Sequence, residues 1–101
     1  MFSGGSYDDV SRWLRNFLTV HAKRDDPRME IVMAAGGDLE GQGYGARVRL
    51  GDRLSEPMTF DYREVADSRG TLAWCAALAA RVRALAHSLR AAGSARDARA
   101  R

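Results

Sequence analysis

The stretch Tyr44-Gly45-Ala46-Arg47-Val48-Arg49-Leu50 decides the fold. Tyr44, Ala46, Val48 and Leu50 alternate with Gly45, Arg47 and Arg49, so an extended chain places an apolar face on one side and charge on the other. A strand of this kind has one face covered and one in water, the pattern of an antiparallel sheet. Similar stretches flank it. Met29 to Ala35 puts Met29, Ile31, Met33 and Ala35 on one face, and Met58 to Tyr62 alternates Met58, Phe60 and Tyr62 with Thr59 and Asp61. The connections, Gly36 to Gly43 and Gly51 to Glu56, are turn-rich and too short for a crossover helix. A three-stranded antiparallel meander follows.

Helical patterns bracket the strands. Val10, Trp13, Leu14, Phe17, Leu18 and His21 recur at steps of three and four. Ser6 is a good N-cap with Asp9 as its capping-box partner, Asp8 and Asp9 suit the first turn, and Lys23 and Arg24 suit the last. Asp25-Asp26-Pro27 ends this helix, because the residue before proline avoids helical geometry. A second helix spans Thr71 to Ala92, with Cys75, Leu78, Val82, Leu85 and Leu89 on one stripe and Gly93 at the C-cap position. Arg63 to Gly70 fits either a short helical turn around Glu64–Asp67 or a loop.

These elements predict an α+β fold of order α-β-β-β-α, a meander with two helices packed on one face. The other face carries Arg47 and Arg49, where Glu30 and Asp61 of the flanking strands stand ready to pair with them. One domain covers residues 1–92 with a flexible start at 1–5, and residues 93–101 form a disordered Arg-rich tail. The expected core is Val10, Trp13, Leu14, Phe17, Leu18, Ile31, Met33, Val48, Leu50, Phe60, Leu78, Val82 and Leu85.

Composition narrows the function classes. The 101 residues are 46% apolar and 29% charged, ordinary for a soluble globular domain. The single cysteine, Cys75, permits no internal disulfide, and Met1 to Ser6 has neither the basic nor the apolar region of a secretory signal. The longest strongly apolar run, Leu72 to Ala80, is far short of the roughly 20 residues that cross a bilayer. A cytoplasmic protein without a membrane partner is expected. The net charge of +3 is uneven: residues 71–101 hold six arginines against Asp97, whereas residues 1–70 are net acidic.

No arrangement points to catalysis, a metal or a cofactor. His21 continues the apolar stripe of the first helix, His87 falls on a polar face, and Cys75 has no basic neighbour to make it a thiolate. Two histidines and one cysteine without close spacing do not make a zinc site. Gly41-Gln42-Gly43-Tyr44-Gly45 is glycine-rich but lacks the lysine and following helix of a phosphate loop. The expectation is a protein that is not an enzyme. A pocket between sheet and helices at Tyr44, Tyr62 or His21 is the arrangement that would contradict it.

Two surfaces stand out. Ala73, Ala76, Ala77, Ala80 and Ala84 lie opposite the leucine stripe of the last helix, where charge is usual, with Trp74 and Arg81 beside them. Small residues permit close helix approach and tryptophan is enriched at interface anchors, so Ala73, Trp74, Ala77, Ala80, Arg81 and Ala84 form the candidate interface of a homodimer or protein complex. Further along, Arg83, His87 and Arg90, with Arg96, Arg99 and Arg101, are candidate contacts for a polyanion such as nucleic acid. A solvated helix face accounts for them equally well.

The element order resembles that of the double-stranded RNA-binding domain. That resemblance implies RNA contacts from the first helix, the first hairpin loop and a lysine-rich start of the last helix. Here that start is Ser68-Arg69-Gly70-Thr71-Leu72-Ala73-Trp74-Cys75, with one basic residue, and the loop carries Asp38 and Glu40. A non-catalytic interaction module that self-associates through its last helix is therefore the expected function, with nucleic-acid binding as the alternative.

Overall fold

The computed structural model describes residues 6–33 and 42–99, the last eight of them as backbone alone. It consists of α1 (Tyr7–Asp25), β1 (Glu30–Met33), β2 (Gly43–Leu50), β3 (Arg53–Leu54), β4 (Met58–Asp61), α2 (Tyr62–Ser68) and α3 (Leu72–Arg99). The α+β class and the helix–meander–helix order are as expected, with one more strand and one more helix. The flexible start at 1–5, the Ala34–Ala35 end of the first strand, most of the first hairpin loop and the last two residues lie outside the described residues.

β2 is the centre of the sheet. Ala46 pairs with Met33 of β1 and Met58 of β4, and Arg49 pairs with Glu30 of β1 and Leu54 of β3. β3 and β4 therefore follow one another along the edge of β2 opposite β1. Their registers differ by one residue: Arg49 faces Leu54, but Ala46 faces Met58. Counting inward from each side sets both Ser55 and Glu56 opposite Val48, which is a β-bulge. The Ser55 N–H donates to the Val48 carbonyl at 2.8 Å. The Ser55 Oγ accepts the Val48 N–H at 2.9 Å, where a ladder carbonyl would otherwise stand. The expected third strand is thus one strand broken by a bulge. Gly51, at φ +65°, is the first central residue of the Gly51-Asp52 turn joining β2 to β3, a position that needs positive φ.

Tyr44, Ala46, Val48 and Leu50 are buried beneath the helices while Arg47 and Arg49 are exposed. Arg49 forms an ion pair with Glu30 directly across the sheet. Asp61 does not pair with Arg47. It caps α2 instead, accepting the N–H groups of Arg63 at 3.1 Å and Glu64 at 3.4 Å. That cap decides the Arg63–Gly70 segment in favour of helix, because it satisfies orphan donors of the first turn.

α1 begins as expected: Ser6 Oγ accepts the Asp9 N–H at 3.1 Å, and the Asp9 carboxylate accepts the Ser6 N–H at 3.4 Å. α1 and α3 run in the same direction, since Trp13 stacks on Trp74 near their starts and Asp25 meets Arg90 further along. α3 does not stop at Gly93 but continues to Arg99. The tail expected to be disordered from residue 93 is helical backbone as far as 99. Glycine inside a helix costs about 1 kcal/mol, but extending an existing helix needs no new nucleus, and Ala95 and Ala98 are strong formers.

Trp13, Phe17, Met33 and Leu85, expected in the core, are only half-buried at its margin. Met29, Tyr44, Ala46, Met58, Val65, Ala79 and Ala86 are buried and join the core.

The turn after α1 holds an acid-sensitive contact. Asp26 accepts hydrogen bonds from Arg28 Nε at 3.1 Å, Arg28 Nη2 at 2.8 Å and the Arg28 N–H at 2.9 Å. The side-chain bonds first, then the backbone bond, pull its carboxyl down to about 2 from an ordinary 3.8. A carboxylate with a lowered folded-state pKa stabilises above the unfolded value and loses that stabilisation as pH falls through the folded one. Acid titration of the folded protein should therefore show a stability loss between pH 3.8 and about 2. The variant Asp26→Asn, followed by circular dichroism, should lack this step.

Candidate functional site

The candidate site is the outward side of α3 and the cleft beside its first turns. Leu78, Ala79, Val82, Ala86 and Leu89 bury one side of α3. Opposite them Ala73, Ala76, Ala77, Ala80 and Ala84 are exposed, and Leu72 at the helix start is 85% exposed. An apolar face about half a helix circumference from the core has no partner among the described residues.

Trp74 is half-buried and fixed from two sides. Its ring stacks on Trp13 at a centroid separation of 6.2 Å, and its Nε1 donates to Glu64 Oε2 at 3.3 Å. Thr59 and Phe60 of β4, Glu64 of α2, and Trp74, Ala77, Leu78 and Arg81 of α3 line a cleft of about 170 Å³. A second cleft of about 350 Å³ lies further along α3, between Ser55-Glu56 and Leu85, Ser88 and Leu89. The outer edge of the β3–β4 strand and α3 are therefore neighbours, with open space between them. Arg81 has no ion-pair partner among the described residues.

The structure thus brings Trp74, Ala77 and Arg81 together at one cleft and places Ala73, Ala80 and Ala84 on the adjoining exposed face. Thr59, Phe60 and Glu64 join this site without having been singled out in the sequence. Their approach depends on tertiary packing, for which periodicity carries no signal.

The basic set is less concentrated. Arg83 and His87 are exposed, and Arg83 Nε donates to the Ala79 carbonyl at 3.4 Å. Arg90 pairs with Asp25 at 3.3 Å, so part of its charge is already matched. The side chains of Arg96 and Arg99 lie outside the described ones, as does all of Arg101.

The tyrosines and His21 are used structurally. Tyr7 and Tyr44 stack at 4.7 Å; the Tyr7 hydroxyl donates to the Gly43 carbonyl at 2.6 Å and the Tyr44 hydroxyl to the Tyr7 carbonyl at 2.8 Å. Burial pushes the Tyr44 phenol well above its usual value, which keeps its proton in place. His21 lies against Phe17 at 4.5 Å, and burial first, then Arg24 and Arg83, lowers its pKa and favours the neutral ring. Neither these tyrosines nor His21 line the clefts described above, nor the open cleft of about 530 Å³ around Arg28, Arg49 and Arg53.

Among the described residues no three His, Cys, Asp or Glu side chains converge as a metal ion would require, and no helix is long and apolar enough to cross a membrane. Comparison with known proteins gives no match: no protein-family model, no curated protein and no solved structure matches the chain.

Proposed function

We propose that this protein is a non-catalytic interaction module that self-associates as a dimer through the first half of α3. The observation that carries the reading is the exposed Ala73–Ala77–Ala80–Ala84 face beside a tryptophan already held in place by Trp13 and Glu64. Small side chains let a second helix approach closely, and a fixed tryptophan loses little conformational freedom on being covered. The exposed Leu72 adds apolar area at the same end. A half-buried lone cysteine suits a reducing, cytoplasmic setting.

The test is the mass of the full chain in solution. Light scattering and sedimentation over a wide concentration range should give a dimer. Ala80→Glu, at an exposed helix position, brings like charges together across the contact and should weaken association by at least about tenfold, or 1.4 kcal/mol. Its circular dichroism should match the parent's. A strict monomer at every concentration ends the reading.

A further inference from the structure

Resting on self-association through the first half of α3, we propose that the contact centres on its cleft-side flank, Trp74, Ala77 and Arg81, and that the two copies meet edge to edge along β4, antiparallel about a two-fold axis at Thr59, with Arg81 of each copy against Glu64 of the other. The backbone of β4 shows which groups are free. The Tyr62 N–H donates to the Gln42 carbonyl at 2.9 Å, and Phe60 faces Tyr44 while Met58 faces Ala46. In an antiparallel ladder, bonded pairs alternate with unbonded ones. Phe60 and Met58 therefore turn their N–H and C=O groups toward β2, and Thr59 and Asp61 turn theirs outward. Among the described residues no strand pairs with that outer edge.

The edge is short. Pro57 has no N–H to offer, and the Asp61 carbonyl belongs to the start of α2. What remains is the N–H and C=O of Thr59, the N–H of Asp61 and the carbonyl of Pro57. A threaded peptide draws its affinity from a run of main-chain bonds, and this edge cannot supply such a run. A second copy of the same edge needs only one reciprocal pair. Each Thr59 N–H meets the other copy's Thr59 carbonyl, and the two threonine side chains form a favourable cross-strand pair.

The charges next to the edge fit the same symmetry. Glu64 and Arg81 line one cleft beside Thr59, and Arg81 has no ion-pair partner among the described residues. In an isologous contact residue i meets j and j meets i. A carboxylate and an unpaired cation on one patch therefore complement a second copy of that patch. Ala77, also in the cleft, leaves room for the approach.

A cysteine at the axis tests this. In a Cys75→Ser background, Thr59→Cys should be captured by mild oxidation as a disulfide-linked dimer. Bonded antiparallel partners have Cα atoms about 5.5 Å apart, within the span a disulfide bridges. Arg47→Cys, on the open sheet face, should give no such product. A second variant, Thr59→Pro, removes only an outward N–H that β2 does not use, so proline is tolerated there as on other edge strands. It should keep the parent's circular dichroism and dimerise at least about tenfold more weakly. A dimer by light scattering with no Thr59 cross-link, and with full association in Thr59→Pro, would overturn the β4 pairing and leave the α3 dimer standing. A monomeric parent would overturn both.

Discussion

Leu78→Ala is expected to lower the unfolding free energy by about 2–5 kcal/mol, the range for emptying a buried leucine site. Leu78 is 5% exposed and faces the sheet from α3, one turn before Val82. Removing its isobutyl group costs the lost transfer energy, and a further amount depends on how far the surroundings close over the gap. Leu78 also lines the cleft beside Phe60 and Trp74, so water can reach part of the space it vacates. That places the effect toward the lower half of the range. Leu72→Ala is the matched control: the same chemistry at an 85% exposed position should change stability by less than about 0.5 kcal/mol. Urea melts of both variants, run at several protein concentrations, separate packing from association, because binding of a second copy to the folded state adds apparent stability by mass action. A Leu78→Ala change as small as that of Leu72→Ala would mean that α3 does not cover the sheet.

The strands and helices were legible in the chain to different degrees, for physical reasons. β2 announces itself because Arg47 and Arg49 interrupt an apolar row at every second residue, and only an extended strand puts them on one side. α1 is legible at both ends, since its capping box and its closing Asp-Asp-Pro act locally. The bulge is not legible. Ser55 and Glu56 fall in the stretch Gly51 to Glu56 that reads as turn, and only the registers of β3 and β4 against β2 reveal two residues opposite one. Trp13 and Phe17 follow the apolar period of α1, yet they lie at the margin because they stack along its flank, Trp13 against Trp74 of α3. Small residues were missed for the opposite reason. Ala46, Ala79 and Ala86 are buried where helices approach strand or helix closely, and alanine carries little hydrophobic signal of its own. The exposed alanine face of α3 could be read from spacing alone. The strand edge that lies beside it could not, because Thr59 and Arg81 are neighbours only after folding.

The bulge yields the second large effect. Ser55→Ala should cost about 1–3 kcal/mol, the penalty for leaving a buried donor without a partner. Val48 is fully buried, and its N–H is satisfied by Ser55 Oγ at 2.9 Å, while the same hydroxyl donates to the Glu56 carbonyl at 2.9 Å. Alanine removes the acceptor and cannot bring a carbonyl into its place, because the extra residue of the bulge holds the strand away from the ladder. Ser55→Thr keeps the hydroxyl and should recover most of the loss. Amide exchange gives the local readout: the Val48 N–H should exchange faster in Ser55→Ala than in Ser55→Thr, beyond what global stability explains. An unchanged melt together with an unchanged Val48 exchange rate would show that the hydroxyl does not hold the bulge. The contact matters beyond its own energy, because the bulge sets the register of β4. A slip of one residue there would turn Met58 and Phe60 to the open face and Thr59 toward the helices. The bulge at Ser55 thus acts with the burial of Met58 and Phe60 to keep the Thr59 N–H on the outer edge of β4.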